Sequence, residues 1–229
     1  MSKLPKEHQF LDLSDYGRPI ARKIANLLKN SKFTPVDVTI AFVVSGLIGV
    51  FCILEEYYWA AAFFLIFKSI LDAADGELAR VKKTPSYTGR FLDSVSDILL
   101  NFIIFISLWY VTNVNFSFAF LAFFGIQLQG TLYNYYYVIL RNKSVGGDTT
   151  SKIFEYKSPR ALPGETQKSV DILFKIYTIV YGTFDKIIHF LDPEAYKVKT
   201  FPNWFMTLLS IYGLGFQLLI IAIILPMNL

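Results

Sequence analysis

Apolar residues run along this chain in long uninterrupted blocks, separated by short charged ones. Residues 98–140 contain no charged side chain. That is about twice the ~20 apolar residues with which one helix crosses a bilayer, so the block predicts two helices turning near Thr112 to Asn115. Residues 38–54 form another predicted span, and so does the uncharged stretch after Lys199, centred on residues 204–225. Residues 57–71 are apolar except for Lys68 and Ser69, and reach spanning length only if their helix continues through the polar residues beyond. Residues 169–191 make the weakest span, interrupted by Asp171, Lys175, Asp185 and Lys186. The pattern predicts an all-α integral membrane protein of about six transmembrane helices.

Ahead of these blocks, Ile20, Ile24, Leu27 and Leu28 fall at i, i+4, i+7 and i+8, with Arg22, Lys23 and Lys29 mostly off that stripe. The spacing predicts a basic amphipathic helix lying in the membrane interface, with Pro19 in its first turn. We therefore divide the chain into a leader with an interfacial helix, 1–35, and a six-helix transmembrane catalytic domain, 36–229. Residues 141–168 are a polar loop whose GGDTTS and SPRALPGE segments mark turns. An exposed backbone of GGDTTS is also a candidate phosphate contact. The first 17 residues lack the apolar centre of a cleavable signal.

Composition, with 54% hydrophobic and 17% charged residues, adds less than these runs, because soluble domains reach about 45–50% apolar. Basic residues sharpen the topology. They gather before the first span, between the second and third (Lys82, Lys83, Arg90), and between the fourth and fifth (Arg141, Lys143, Lys152, Lys157, Arg160, Lys168). Alternate loops share a side, which the positive-inside rule makes the cytoplasm. Lys197 and Lys199 dissent mildly, accompanied by Asp192 and Glu194. A bacterial plasma membrane is the expected location. The single cysteine, Cys52, excludes an internal disulfide and reads as a buried thiol. His8 and His189 have no partners at metal-ligand spacing, and the aromatic run at 134–138 reads as packing.

Four aspartates beside the most apolar blocks carry the candidate chemistry. Asp72 and Asp75 are three apart and Asp93 and Asp97 four apart, so each pair shares one helical face. Measured from the outer turns, Asp72 and Asp97 each lie about 22 Å deep at ~1.5 Å per residue. A charge inside a membrane costs at least about 2.5 kcal/mol, and four like charges also repel. Lys68 and Arg80 supply only two side-chain cations. A hard divalent cation such as Mg²⁺, which takes oxygen ligands and shares substrate phosphates, would balance the rest, and a pair of ions suits displacement at phosphorus. A structural salt-bridge network or a cation transporter is the alternative use. A transporter predicts acids spread over several depths, whereas these cluster at one. Gly76 and Ala79 permit close approach by a helix or a flat ligand. Lys68 either faces the same centre or pairs with Asp72.

Asp72-x2-Asp75-Gly76-x2-Ala79-Arg80-x8-Gly89-x3-Asp93-x3-Asp97 resembles, without a mismatch, the signature of the CDP-alcohol phosphotransferases. The resemblance implies a membrane enzyme that moves a phosphatidyl-type group from a CDP-linked lipid to an alcohol and releases CMP. It implies that Asp72, Asp75, Asp93 and Asp97 hold two Mg²⁺ or Mn²⁺ ions and that Asp97 deprotonates the acceptor. Asp75, Gly76, Ala79, Arg80, Gly89 and Thr34 would contact or accommodate CDP. Thr34-Pro35-Val36 departs from the Thr-Pro-Asn of many relatives, and Val36 cannot make the asparagine's hydrogen bonds. Expected partners are the lipid donor, a small alcohol, membrane lipids and a second copy of the chain, with no nucleic acid. For a phosphorylated acceptor such as glycerol 3-phosphate or inositol phosphate, Lys68, Arg141, Lys143, Lys152 and Arg160 are candidate contacts, set against ordinary positive-inside topology. An inactive scaffold of the same fold is a further alternative.

Overall fold

A computed structural model describes residues 4–144 and 155–227, which form helices and connecting turns with no strand. The helices are α1 (Arg18–Leu28), α2 (Pro35–Leu54), α3 (Tyr58–Lys82), α4 (Tyr87–Thr112), α5 (Phe116–Ser144), α6 (Gln167–Leu191), α7 (Asn203–Leu209) and α8 (Leu214–Ile224). GGDTTS and Lys152 lie outside the described residues.

Local chemistry explains the boundaries. Thr34 caps α2 through a reciprocal box, its backbone N–H donating to Asp37 at 2.7 Å and its hydroxyl accepting from the Asp37 N–H at 3.3 Å. Pro35 follows where its missing N–H costs nothing. The second predicted span does continue through its polar residues: α3 runs unbroken for 25 residues and ends where Lys83 turns left-handed, φ 56°. Pro85 then blocks further helix and Ser86 caps α4. The turn expected near Thr112 to Asn115 is present, with Asn113 at φ 52°.

Helix α2 packs against α3 and α4, α3 also against α1 and α8, and α4 against α5 and α6. Small residues bring α2 in close. A Cβ on Gly46 would stand 2.9 Å from Leu100 Cδ1, and Ser45 donates to the Phe64 carbonyl at 3.0 Å. One apolar cluster, around Ile53, Leu65, Ile104 and Leu218, includes the buried Cys52. A second joins Phe42, Ala74, Leu78 and Leu100 to Ala21 and Ala25 of α1. The expected α1 stripe divides: Ile24 and Leu28 pack on this cluster while Ile20 and Leu27 stay exposed. Ile40, Val44, Leu47 and Phe51 form an outward apolar stripe on α2, as a lipid-facing surface requires.

Among the described residues, α2, α4 and α5 are long and apolar enough to cross a membrane, and the bent pair α7–α8 makes a fourth crossing if it is one span. The expected six therefore depend on α3 and α6, which have the length, 25 residues each, but carry more charge. The continuous last span expected from the sequence is replaced by two helices bent by 51°. The leader explains the break. Its turn at Leu13–Asp15 docks there, with the Leu13 N–H donating to Ser210 Oγ at 2.9 Å and the Gly215 N–H to Ser14 Oγ at 3.2 Å. Any Cβ on Gly213 or Gly215 would overlap Ser14.

Candidate active site

A cavity of about 630 Å³ opens between α3, α4, α5, α6, α8, the start of α2 and the leader. Asp72, Asp75, Gly76, Ala79, Arg80, Gly89, Asp93 and Asp97 all line it. The i, i+3 and i, i+4 spacings put each aspartate pair on one helical face, and α3 and α4, joined by the Lys83–Ser86 turn and both packed on α2, present those faces to the cavity.

Each carboxylate has a distinct surrounding. Thr39 of α2 donates to Asp75 Oδ2 at 2.6 Å. Lys68, fully buried, is ion-paired with Asp97 Oδ1, while Asn101 approaches Asp97 Oδ2 at 3.5 Å. Asp93 lies close enough to Asp72, Asp75 and Asp97 to feel all three charges, a repulsion that a proton or a cation would relieve. Asp93 Oδ1 is buried without a hydrogen-bond partner among the described residues. Tyr181 of α6 lies near enough to feel the charges of Asp97, Asp93 and Asp72.

An oxygen-only donor set with one orphaned buried oxygen suits a hard divalent cation. Among the described residues no three such side chains already converge as a ligand set. Thr39 and Lys68 draw Asp75 and Asp97 towards their own partners. The donors fit the ion chemically, and binding would require side-chain adjustment.

The guanidinium of Arg80 is organised by a buried carboxylate. Glu77, 1% exposed, lies 3.1 Å from Arg80 Nη2 and 3.1 Å from Arg18 Nη1, with Arg22 Nε at 3.7 Å. Arg18 also donates to Asp15 at 2.6 Å. Among the described residues neither Arg80 Nε nor Nη2 has a hydrogen-bond partner, so its contact with Glu77 is an ion pair without hydrogen-bond geometry. A Cβ on Gly76 would meet only this guanidinium, at 3.6 Å and 3.8 Å. The small residue therefore opens space in the cavity and does not admit a neighbouring helix.

Gly89 belongs to the cap of α4, its N–H donating to Ser86 Oγ at 2.7 Å. Glu165, from the loop before α6, accepts from Ser86 Oγ at 2.8 Å and from the Thr88 N–H at 2.6 Å. Burial favours its neutral form, but the donors from Thr88, Ser86 and Leu162 outweigh that and hold the carboxyl below its ordinary value. Arg90 beside it pairs with Glu155 at 2.6 Å.

Residues 32–163, more than half of the chain, match the sequence profile of the CDP-alcohol phosphatidyltransferases. The chain belongs to that family. No curated protein matches it. Membership makes the protein one of a family of phosphotransferases that move a phosphatidyl group from a CDP-alcohol. The matched region includes the eight motif positions, while Asp12, Ser14, Asp15 and Arg18 from the N-terminal end, with α6 and α8, complete the cavity from outside it.

Other residues expected to contact substrates are distributed unevenly about this cavity. Lys68 and Arg141 line it. Lys68 forms an ion pair with Asp97 and lies close enough to Asp72 to feel its charge. Thr34 does not line it, and its hydroxyl is spent on the α2 cap, whereas Pro35 and Val36 do reach the wall. Lys143 points away to the Val198 carbonyl and Arg160 is exposed elsewhere. The sequence reading missed Arg18, Thr39, Glu77, Asn101 and Tyr181. Glu77 had a usable signal, being a charge inside an apolar helix beside the motif. Arg18 was hidden among the basic residues of the leader.

Proposed function

We propose that this transferase moves the phosphatidyl group of a CDP-linked lipid, CDP-diacylglycerol, to the hydroxyl of a small polar alcohol and releases CMP. The supporting observation is that all eight motif positions line one cavity between apolar helices. The acyl chains remain in the bilayer, while nucleotide and acceptor enter from the cytoplasm.

The acceptor oxygen forms a bond to the lipid-bearing phosphorus, and the bond from that phosphorus to the CMP oxygen breaks. The acceptor proton passes to Asp97 and the electron pair leaves with CMP. Lys68 fixes one oxygen of Asp97 and leaves Oδ2 weakly held, an orientation that suits a general base. Asp72, Asp75, Asp93 and Asp97 would hold Mg²⁺ or Mn²⁺, which when bound neutralise the pyrophosphate and the developing charge on CMP. Arg80, steadied by Glu77, donates to a phosphate of CDP, and Gly76, Ala79 and Gly89 leave room for it.

Arg141 favours a phosphorylated polyol as acceptor. It reaches the cavity from α5, close enough to Arg18 and Arg80 to feel their charges. An anion relieves such repulsion. The test is CMP release by purified protein from CDP-diacylglycerol with Mg²⁺, adding glycerol 3-phosphate, inositol phosphate, inositol or serine separately. Stimulation by a phosphorylated polyol supports the reading; absence of release with every acceptor contradicts it.

A further inference from the structure

One wall of the cavity has buried polar groups that neither the signature nor the transfer chemistry uses. Gln127, Gly130, Thr131 and Asn134 fall at i, i+3, i+4 and i+7 of α5 and line the cavity together. This stripe interrupts an otherwise apolar helix that is long enough to cross a membrane. Gln127 and Thr131 are 5% and 6% exposed, yet Gln127 Nε2 and Thr131 Oγ1 have no hydrogen-bond partner among the described residues. Buried polar atoms of this kind are normally satisfied by a protein partner, a ligand or ordered water. Between them, a Cβ on Gly130 would meet nothing within 4 Å.

Position explains what this wall faces. Helices α4 and α5 are antiparallel neighbours joined at residues 113–115. Asp97 lies 15 residues before the end of α4 at Thr112, and Thr131 lies 15 residues after the start of α5 at Phe116. Both are therefore about 22 Å from the shared turn at ~1.5 Å per residue. The stripe stands level with the carboxylate proposed to take the acceptor proton.

We infer that Gln127, Thr131 and the gap at Gly130 form the acceptor-recognition wall, and that they select a polyhydroxylated acceptor through its non-reacting hydroxyls. This rests on the transfer reading above and names the residues that set its specificity. An amide N–H donates to a hydroxyl oxygen, and a threonine hydroxyl exchanges hydrogen bonds with another hydroxyl; neither side chain carries the negative charge that would favour an ammonium group over a hydroxyl. The carboxylates at the leader end, Asp12 and Asp15, are engaged by Tyr133 at 2.5 Å and Arg18 at 2.6 Å. Among the described residues the α5 wall itself carries no carboxylate; Asp185 of α6 lines the same cavity, so serine is the acceptor that tests the selection.

The test compares wild type with Gln127→Met, Thr131→Val and Gly130→Leu for acceptor KM, CDP-diacylglycerol KM and melting temperature. Each variant should raise the acceptor KM at least about tenfold, the scale of one lost hydrogen bond, and leave the donor KM unchanged. Melting temperature should hold or rise, because an unpartnered polar atom or a mid-helix glycine is being removed. Unchanged acceptor KM would overturn the inference, as would a lowered melting temperature with both KM values altered, since that marks a structural role. Stimulation of wild type by serine alone would also overturn it. If wild type transfers to none of the four acceptors, the transfer reading fails by itself. Calorimetric titration with glycerol 3-phosphate and inositol phosphate then decides the wall: binding weakened in the variants upholds it, and no binding by wild type refutes it.

Discussion

Lys68 on α3 is buried in the bundle, 1% exposed, and forms an ion pair with Asp97 on α4. The pair ties together the two helices that carry the aspartates and supplies one of the cations the cluster needs. Removing one partner of a buried pair strands the other charge, a loss of about 3–5 kcal/mol. Lys68→Met should destabilise the protein on that scale, and Lys68→Met with Asp97→Asn should recover most of it. Denaturant midpoints in detergent, compared across the single and double variants, check this; equal losses in both would contradict it.

Glu77 should matter beyond stability. Its carboxylate holds both Arg80 and Arg18 at 3.1 Å. Glu77→Gln keeps the shape and removes the charge, so we expect a destabilisation of about 3 kcal/mol and a raised KM for the CDP-linked donor, with the acceptor KM little changed. Paired donor and acceptor titrations of the variant measure this split.

The leader is held against the break between α7 and α8, where Gly215 has no room for a side chain beside the Ser14 backbone. Gly215→Ala should displace residues 12–16, expose them to limited proteolysis and lower activity. Protection equal to wild type in a proteolysis time course would contradict that docking.

Acid should loosen the start of α4. Glu165 is held below its ordinary value by the donors of Ser86, Thr88 and Leu162. A depressed folded-state value stabilises the protein fully above the unfolded carboxyl value of about 4.3 and loses that stabilisation as pH falls through the folded value. Melting temperature should therefore fall below about pH 4 in wild type, and less steeply in Glu165→Gln.

Much of this architecture was legible because membranes impose long runs and motifs have fixed spacing. The turn between α4 and α5, the continuation of α3 through its aspartates, and the placing of the eight motif positions along one cavity all follow from local pattern. Features made by distant segments were not legible. The broken last span depends on Ser14 meeting Gly215, 201 positions away. The Glu77 clamp depends on α1 docking against α3 through Ala21 and Ala25. Thr34 looked like a nucleotide contact because of its neighbours in sequence, but an equally local need, capping α2, uses its hydroxyl.

The central claim is metal-assisted transfer of a phosphatidyl group within the aspartate-lined cavity. Its most direct measurement is the incorporation of a labelled polyol phosphate into lipid-extractable product from CDP-diacylglycerol, with Mg²⁺, with a chelator, and in Asp97→Asn. The account predicts a labelled phospholipid formed in step with CMP, abolished by the chelator and reduced at least about a hundredfold in Asp97→Asn, with CDP binding retained by that variant. Full incorporation in the chelator or by Asp97→Asn would contradict it.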